Sequence, residues 1–273
     1  ELIETSARVR YRTVELIHKA GAGHTGGDMS SADILIALYT YMNIFPLDPQ
    51  NEDRDYFVLS KGHSAEIYYE VLAEFGYFSR ERLKTIGSPG TLFGGHPTND
   101  IPGVEANTGS LGHGLGFGSG IALGLKRNSK SNQVYVLTGD GELAEGSNWE
   151  AALFAGNYQL DNFTWIIDRN HLQISGTTEE VITLEPLKEK IKAFGFNVHV
   201  IDGHNFKEIF EALDTPHNNK PKAIIANTIK AHGIRGAEND PGWHHRVPNK
   251  EEVKQMKLDM QTIIDRSKEY AKA

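Results

Sequence analysis

A strand-like run, Val134–Thr138, ends in Gly139-Asp140-Gly141, and a second, Phe163–Asp168, leads to Asn170. Residues 142–169, 28 positions, separate the acidic turn from the asparagine. In an open parallel sheet, ligands sit at the carboxyl ends of the strands, so Asp140 and Asn170, one βαβ unit apart, can face one crevice. A carboxylate oxygen, an amide oxygen and a nearby backbone carbonyl suit Mg²⁺ or Ca²⁺, hard cations whose shell phosphate oxygens or water complete. The glycines on either side of Asp140 let backbone N–H groups approach a phosphate closely. A lone Gly-Asp-Gly is a common surface turn; the asparagine at this interval, after a second strand, favours a site.

The second signal is the setting of four of the twelve histidines. His24 lies in the glycine-rich run Gly21–Gly27, ahead of a helix expected to open at Ser30 or Ser31. His63 follows Leu59-Ser60-Lys61-Gly62 at the exit of a strand, His96 lies in Gly94-Gly95-His96-Pro97, and His244 follows Asp240-Pro241-Gly242-Trp243. None falls on an apolar helical stripe. Imidazoles titrate near neutral pH, so a group of them can pass protons to and from hydroxyls and donate to developing alkoxides. Any one of them alone is more ordinary as a surface or packed side chain.

The elements that must position these groups are legible as an alternation. Strands are expected at Tyr56–Leu59, Val134–Thr138, Phe163–Asp168, Asn197–Ile201 and Ala223–Asn227. Helices are expected at Ser31–Met42, Ala65–Phe75, Leu111–Lys126, Trp149–Gln159, Leu187–Phe194 and Phe206–Leu213. This is an α/β pattern, a mainly parallel sheet with helices on both faces, expected as a single domain over residues 1–273. Asn249 followed by Glu252 predicts a capping box opening a last helix to about Tyr270. The stretches Gly87–Gly103 and Gly109–Gly124 are long for connections, which in a compact domain points to function. Gly112, Gly116, Gly120 and Gly124 recur every four residues and predict a helix face that a neighbouring element approaches closely. No G-x-G-x-x-G follows a strand, so this is no dinucleotide fingerprint.

Composition excludes several classes. A chain of 273 residues with 39% hydrophobic and 23% charged residues can bury a real core. No apolar run nears the length of a membrane span, and residues 1–20 lack a signal-peptide layout. With no cysteine there is no disulfide or thiolate metal site, and a reducing cytoplasm is the expected home. A net charge of −8 argues against nucleic acid, though a local site for a small anion stays open. A histidine-rich zinc protein would need a paired ligand motif such as H-E-x-x-H, which is lacking.

These motifs together resemble the transketolase family. In order they read Gly23-His24, Phe57–His63, Gly95-His96-Pro97, Thr108–Gly114, Gly139–Gly146, Asn170, and Lys230 with Trp243-His244, and they cover almost the whole chain. The resemblance implies a thiamine diphosphate-binding fold and transfer of a two-carbon ketol unit between sugar phosphates, with the thiazolium ring as electron sink. By the same match, Asp140, Asn170 and the Leu172 carbonyl would hold Mg²⁺ (or Ca²⁺), with Gly141 at the diphosphate. His63, Lys230 and His244 would lie near the cofactor, and Gly109-Ser110-Leu111 beside its aminopyrimidine. His24, His63, His96 and His244 would line the substrate funnel. Glu145 matches the acidic residue that links paired active sites.

In this family a glutamate that activates the aminopyrimidine sits in a separate pyrimidine-binding domain, located after the region seen here. The expectation is therefore a split enzyme: this chain paired with a C-terminal transketolase subunit carrying that domain, as two of each. The segment fading into Lys272-Ala273 is read as a natural end rather than a shortened longer enzyme. Many transketolases have Pro after the first histidine, whereas here Thr25-Gly26-Gly27-Asp28 follows; that leaves unusual ketose phosphates or sulfonated sugars open. The rival readings are a deoxyxylulose phosphate synthase-like or 2-oxo acid dehydrogenase-like subunit, or a non-catalytic partner-binding relative. The four histidines argue against the first two, and retained Asp140 and Asn170 against the third.

Overall fold

The computed structural model describes residues 1–270; the expected close at Lys272-Ala273 lies outside them. Five strands, β1 (Tyr56–Leu59), β2 (Val134–Gly139), β3 (Phe163–Arg169), β6 (Asn197–Asp202) and β7 (Lys222–Asn227), form one all-parallel sheet in the order β1-β2-β3-β7-β6. Each expected strand is present. Between β3 and β6 lie a small hairpin, β4 (Leu172–Gln173) with β5 (Gly176–Thr177), and two short helices, α6 (Thr178–Val181) and α7 (Leu187–Ala193).

Strand alternation sorts the core into two layers. Tyr135, Leu137, Ile166, Ile224 and Ala226 point to one face, covered by α1 (Leu2–Ala20), α2 (Thr25–Tyr41), α3 (Ala65–Glu74) and α8 (Phe206–Asp214). Val134, Val136, Trp165, Ile167 and Ile225 point to the other, under α4 (Gly114–Arg127), α5 (Gly146–Asn157) and α7. The strands are apolar on both faces because both are covered, as parallel sheets require. A last helix, α9 (Lys250–Tyr270), packs outside α1 through Met256 and Met260. Its expected capping box forms: Glu252 N–H donates to Asn249 Oδ1 at 3.0 Å and Asn249 N–H to Glu252 Oε2 at 2.8 Å. No described helix is long and apolar enough to cross a membrane.

Two helical expectations need correction, and one helix was unforeseen. The helix expected from Ser31 begins at Thr25, with His24 as the residue that caps it. Ser30 and Ser31 lie inside it, both hydroxyls bonded back to the Gly27 carbonyl and to Asp168, so they are not caps. The helix expected from Leu111 begins at Gly114, so the glycine-rich stretch 109–124 is largely helix, not loop. The amphipathic α1 was not anticipated at all.

The glycine face is also misplaced. Gly112 lies before α4, and Gly116, Gly120 and Gly124 point into open space. The close approach falls two residues over, where a Cβ on Gly114 would lie 2.4 Å from Ser60 Oγ and one on Gly118 2.3 Å from Val136 Cγ2. Both glycine series have the same period, and only contact with the sheet separates them. Gly118→Val is therefore expected to cost about 1–3 kcal/mol or more by overpacking. Gly116→Ala should stabilise by up to about 1 kcal/mol through helix propensity. Urea denaturation of the two variants checks both; equal destabilisation would refute the assignment.

Candidate active site

The carboxyl ends of β1, β2, β3 and β7 converge on a cavity of about 600 Å³. β2 delivers Asp140, buried to 1% exposure, whose carboxylate is oriented by three donors. Gly141 N–H donates to Oδ1 at 2.8 Å, while His171 N–H and Arg169 Nη1 donate to Oδ2 at 2.6 and 3.2 Å. Burial, reinforced by nearby Asp168, still pushes this carboxyl up to about 6 against the pull of Arg169. β3 delivers Asn170, whose Oδ1 accepts from Leu172 N–H at 3.1 Å and whose Nδ2 donates to Ser30 Oγ at 3.3 Å. The Leu172 carbonyl accepts from Lys230 Nζ at 3.4 Å. Asp140, Gly141, Asn170, Leu172 and Lys230 all line the cavity, as do Gly109, Leu111 and Glu145. Ser110 is exposed and is not among the lining residues.

The four histidines singled out in the sequence come together. The His24 ring lies 5.3 Å from His63, 5.6 Å from His244 and 6.2 Å from His96, and His63 lies 5.4 Å from His244. Burial lowers His24 to about 4, helped by His245 and His96, and lowers His244 to about 3, helped by Lys230. His63 is driven well below its ordinary value by burial and then by Lys61. At neutral pH these rings are uncharged and able to accept a proton. Lys230 Nζ stands 3.0 Å from His244 Nδ1. Burial lowers this ammonium only to about 8, so it donates and leaves the His244 proton on Nε2.

Sequence reading missed three residues here. Lys61, 1% exposed, pairs with Asp168 and donates to the Gly27 carbonyl at 2.9 Å and to Ser31 Oγ at 2.8 Å. It stands inside the Phe57–His63 motif, and nothing local marks it, since a strand-end lysine is usually exposed. His245 puts its ring 4.6 Å from His24, a fifth imidazole signalled only by its neighbour in sequence. Arg169, 1% exposed, ties Asp140 to Thr178, Glu179 and Glu185 and so locks the hairpin region to the tip of β3.

The buried carboxyls of Asp28 and Glu66 neighbour each other, with Asp28 Oδ2 and Glu66 Oε2 lacking any other hydrogen-bond partner, an arrangement that suits one proton held between them. Burial raises Glu66 to about 7 and Asp28 well above its ordinary value, the latter reinforced by Glu66. A carboxyl raised on folding contributes fully below its unfolded value and loses that contribution as pH climbs through the folded one. Glu66→Gln, which mimics the protonated pair, should therefore match wild type near pH 5. Near pH 8 it should exceed wild type by on the order of 2–3 kcal/mol. Melting curves at the two pH values decide this, and a constant difference would refute the shared proton.

The residues present fit thiamine diphosphate with a divalent cation. The Asp140 carboxylate, the Asn170 amide and the Leu172 carbonyl form an all-oxygen donor set for a hard dication. Lys230 supplies positive charge at the same end of the cavity, where a diphosphate would lie, while Lys61 is spent on Asp168, Gly27 and Ser31. His24 Nδ1 is buried without a partner.

Comparison with known proteins supports the thiamine diphosphate part of this fit. The family model described as "Transketolase, thiamine diphosphate binding domain" matches residues 3–263. The chain is 43% identical over 265 residues to one of the subunits of the apulose-4-phosphate transketolase of Phocaeicola vulgatus, covering 96% of this chain and 94% of that protein. It is 42% identical to the 6-deoxy-6-sulfo-D-fructose transketolase subunit SqwG of a Clostridium species, covering 87% and 88%. The crystal structure of transketolase from Campylobacter jejuni superposes with a TM-score of 0.91 at 33% identity, covering 95% of this chain and 43% of that one.

Proposed function

This chain belongs to the transketolase thiamine diphosphate-binding family, and from that membership we propose that it is the diphosphate-holding subunit of a two-chain transketolase. It acts with a partner subunit that carries the pyrimidine-binding domain, as a heterotetramer, on ketoses bearing a terminal phosphate or sulfonate. The observation that carries this reading is the meeting of an oxygen donor set, two lysines and an imidazole cluster at four adjacent strand ends. The subunit names of relatives matched along nearly their whole length support the two-chain arrangement, and their substrates support the anionic ketose.

In this reading Asp140, Asn170 and the Leu172 carbonyl hold Mg²⁺ or Ca²⁺, Gly141 and Lys230 lie beside the diphosphate, and Gly109 and Leu111 border the aminopyrimidine. When bound, the thiazolium ring supplies the electron sink for carbon–carbon cleavage. His24, His63 and His244, neutral at working pH, take protons from substrate hydroxyls and return them, with His96 and His245 at the mouth. Glu145 lies at the rim, where a second copy of the site would be sensed.

The test is a mixing assay with thiamine diphosphate, Mg²⁺, xylulose 5-phosphate and ribose 5-phosphate. The chain alone should bind cofactor without turnover, and the product of the neighbouring pyrimidine-domain gene should restore ketol transfer. Full turnover by the chain alone would overturn the two-chain reading.

A further inference from the structure

Asp33, His204 and His232 bring one ligand atom each within 4.8 Å of one another, and none of the three lines the cavity. The arrangement looks like a metal site until its hydrogen bonds are counted. Asp33 Oδ1 accepts from Ser6 Oγ and from Arg10 Nη1, and Oδ2 accepts from Arg10 Nη2 and His204 Nδ1, the last at 2.8 Å. His204 Nε2 lies 2.9 Å from the Ile229 backbone N–H. A backbone N–H can only donate, so Nε2 is the bare nitrogen, and Nδ1 carries the proton and gives it to Asp33. Both His204 nitrogens and the Asp33 oxygens are spent, and His232, whose Nδ1 donates to Glu238 at 3.0 Å, offers one nitrogen alone, too few ligands for a cation.

The same bonds show what the histidine does. β7 ends at Asn227, and Thr228 N–H still reaches the Arg169 carbonyl. Ile229 is the first residue past the sheet whose N–H has no strand to pair with, and a buried amide without an acceptor is costly. The next residue is Lys230. Ala231 follows in the left-handed region, φ 59, which an L side chain rarely takes, so this stretch does not settle there by its own preference. It is held on one side by His204 and on the other by Ala231 N–H bonded to the Gly26 carbonyl at 3.0 Å. Lys230 Nζ in turn meets both His244 and the Leu172 carbonyl.

We infer that His204 is a positioning residue for Lys230, acting through the Ile229 amide and braced by the buried Arg10–Asp33 pair of α1 and α2. Stacking of His232 on the His204 ring, 3.9 Å between centroids and 27° between planes, keeps the imidazole in plane with that amide. The inference rests on the proposed cofactor reading only for what Lys230 serves.

Two conservative variants of the full chain separate the ends of the ring. His204→Gln places an oxygen where Nε2 stood and keeps the acceptor for Ile229. His204→Asn places an amide nitrogen where Nδ1 stood and keeps only the donor to Asp33. Amide hydrogen exchange at Ile229, melting temperature and calorimetric affinity for thiamine diphosphate with Mg²⁺ are measured on each. The Gln variant should resemble wild type in exchange and affinity. The Asn variant should exchange Ile229 faster and bind the cofactor about tenfold more weakly, the scale of one lost buried hydrogen bond, at a similar melting temperature. Equal cofactor affinity in the two variants, or an unprotected Ile229 amide in wild type, would overturn the inference. A wild-type chain that binds no cofactor would sink the functional reading instead, and the exchange arm alone would then decide the role of His204.

Discussion

Asp140→Ala is expected to lose Mg²⁺-dependent retention of thiamine diphosphate while keeping its fold. Asp140 is the one anionic member of the proposed donor set; the Asn170 amide and the Leu172 carbonyl are neutral, and a dication held by neutral oxygens alone is weakly bound. Losing a group that merely supports a ligand typically costs roughly 10–100-fold in metal affinity, and losing the ligand itself should exceed that. Stability should not follow. The carboxyl is raised to about 6 in the metal-free chain, so above that pH its buried charge opposes folding. Arg169, which loses one partner, keeps Glu179 and Glu185. The variant should thus melt at or above the wild-type temperature near pH 8 without metal. Unchanged Mg²⁺-dependent binding in calorimetry would place the cation elsewhere.

Lys61→Met is expected to have the largest effect on stability, about 3–5 kcal/mol, because it strands a buried charge. Asp168 is fully buried, and burial alone would raise its carboxyl; Lys61, with the Ser30 and Thr228 hydroxyls, holds it below its ordinary value instead. Without Lys61 those hydroxyls cannot balance the charge. The double variant Lys61→Met with Asp168→Asn should recover most of the loss, since removing both charges avoids the unpaired one. Urea denaturation of the two variants gives the answer, and a double variant no better than the single would mean the lysine contributes by packing alone.

These two residues show where sequence reading reached and where it stopped. Asp140 was legible because a glycine-flanked acid at a strand end, with an asparagine one βαβ unit later, is a pattern of spacing, and spacing along strands converts directly into position. All five sheet strands were legible for the same reason, being short β-rich runs with turns behind them. Lys61 was not, although it stood in a quoted motif, because its burial depends on Asp168 from another strand and on the Gly27 carbonyl from a helix. The start of α2 was hidden by Gly26 and Gly27, poor helix formers that are tolerated because Gly26 lies against the Trp243 carbonyl. The misplaced glycine face on α4 makes the point most simply. Gly116 and Gly118 are equivalent by local pattern, and only the neighbouring Val136 tells which one packs. Ser110 entered through its motif neighbours Gly109 and Leu111; it is exposed and does not line the cavity.

The account depends on a divalent cation seated at the tips of β2 and β3. Mn²⁺ supplied with thiamine diphosphate to crystals of the chain would reveal that cation by its anomalous scattering. A single strong peak is expected within coordination distance of Asp140, the Asn170 side chain and the Leu172 carbonyl, with none among Asp33, His204 and His232. A peak at that second cluster, or cofactor density with no metal at the strand tips, would contradict it.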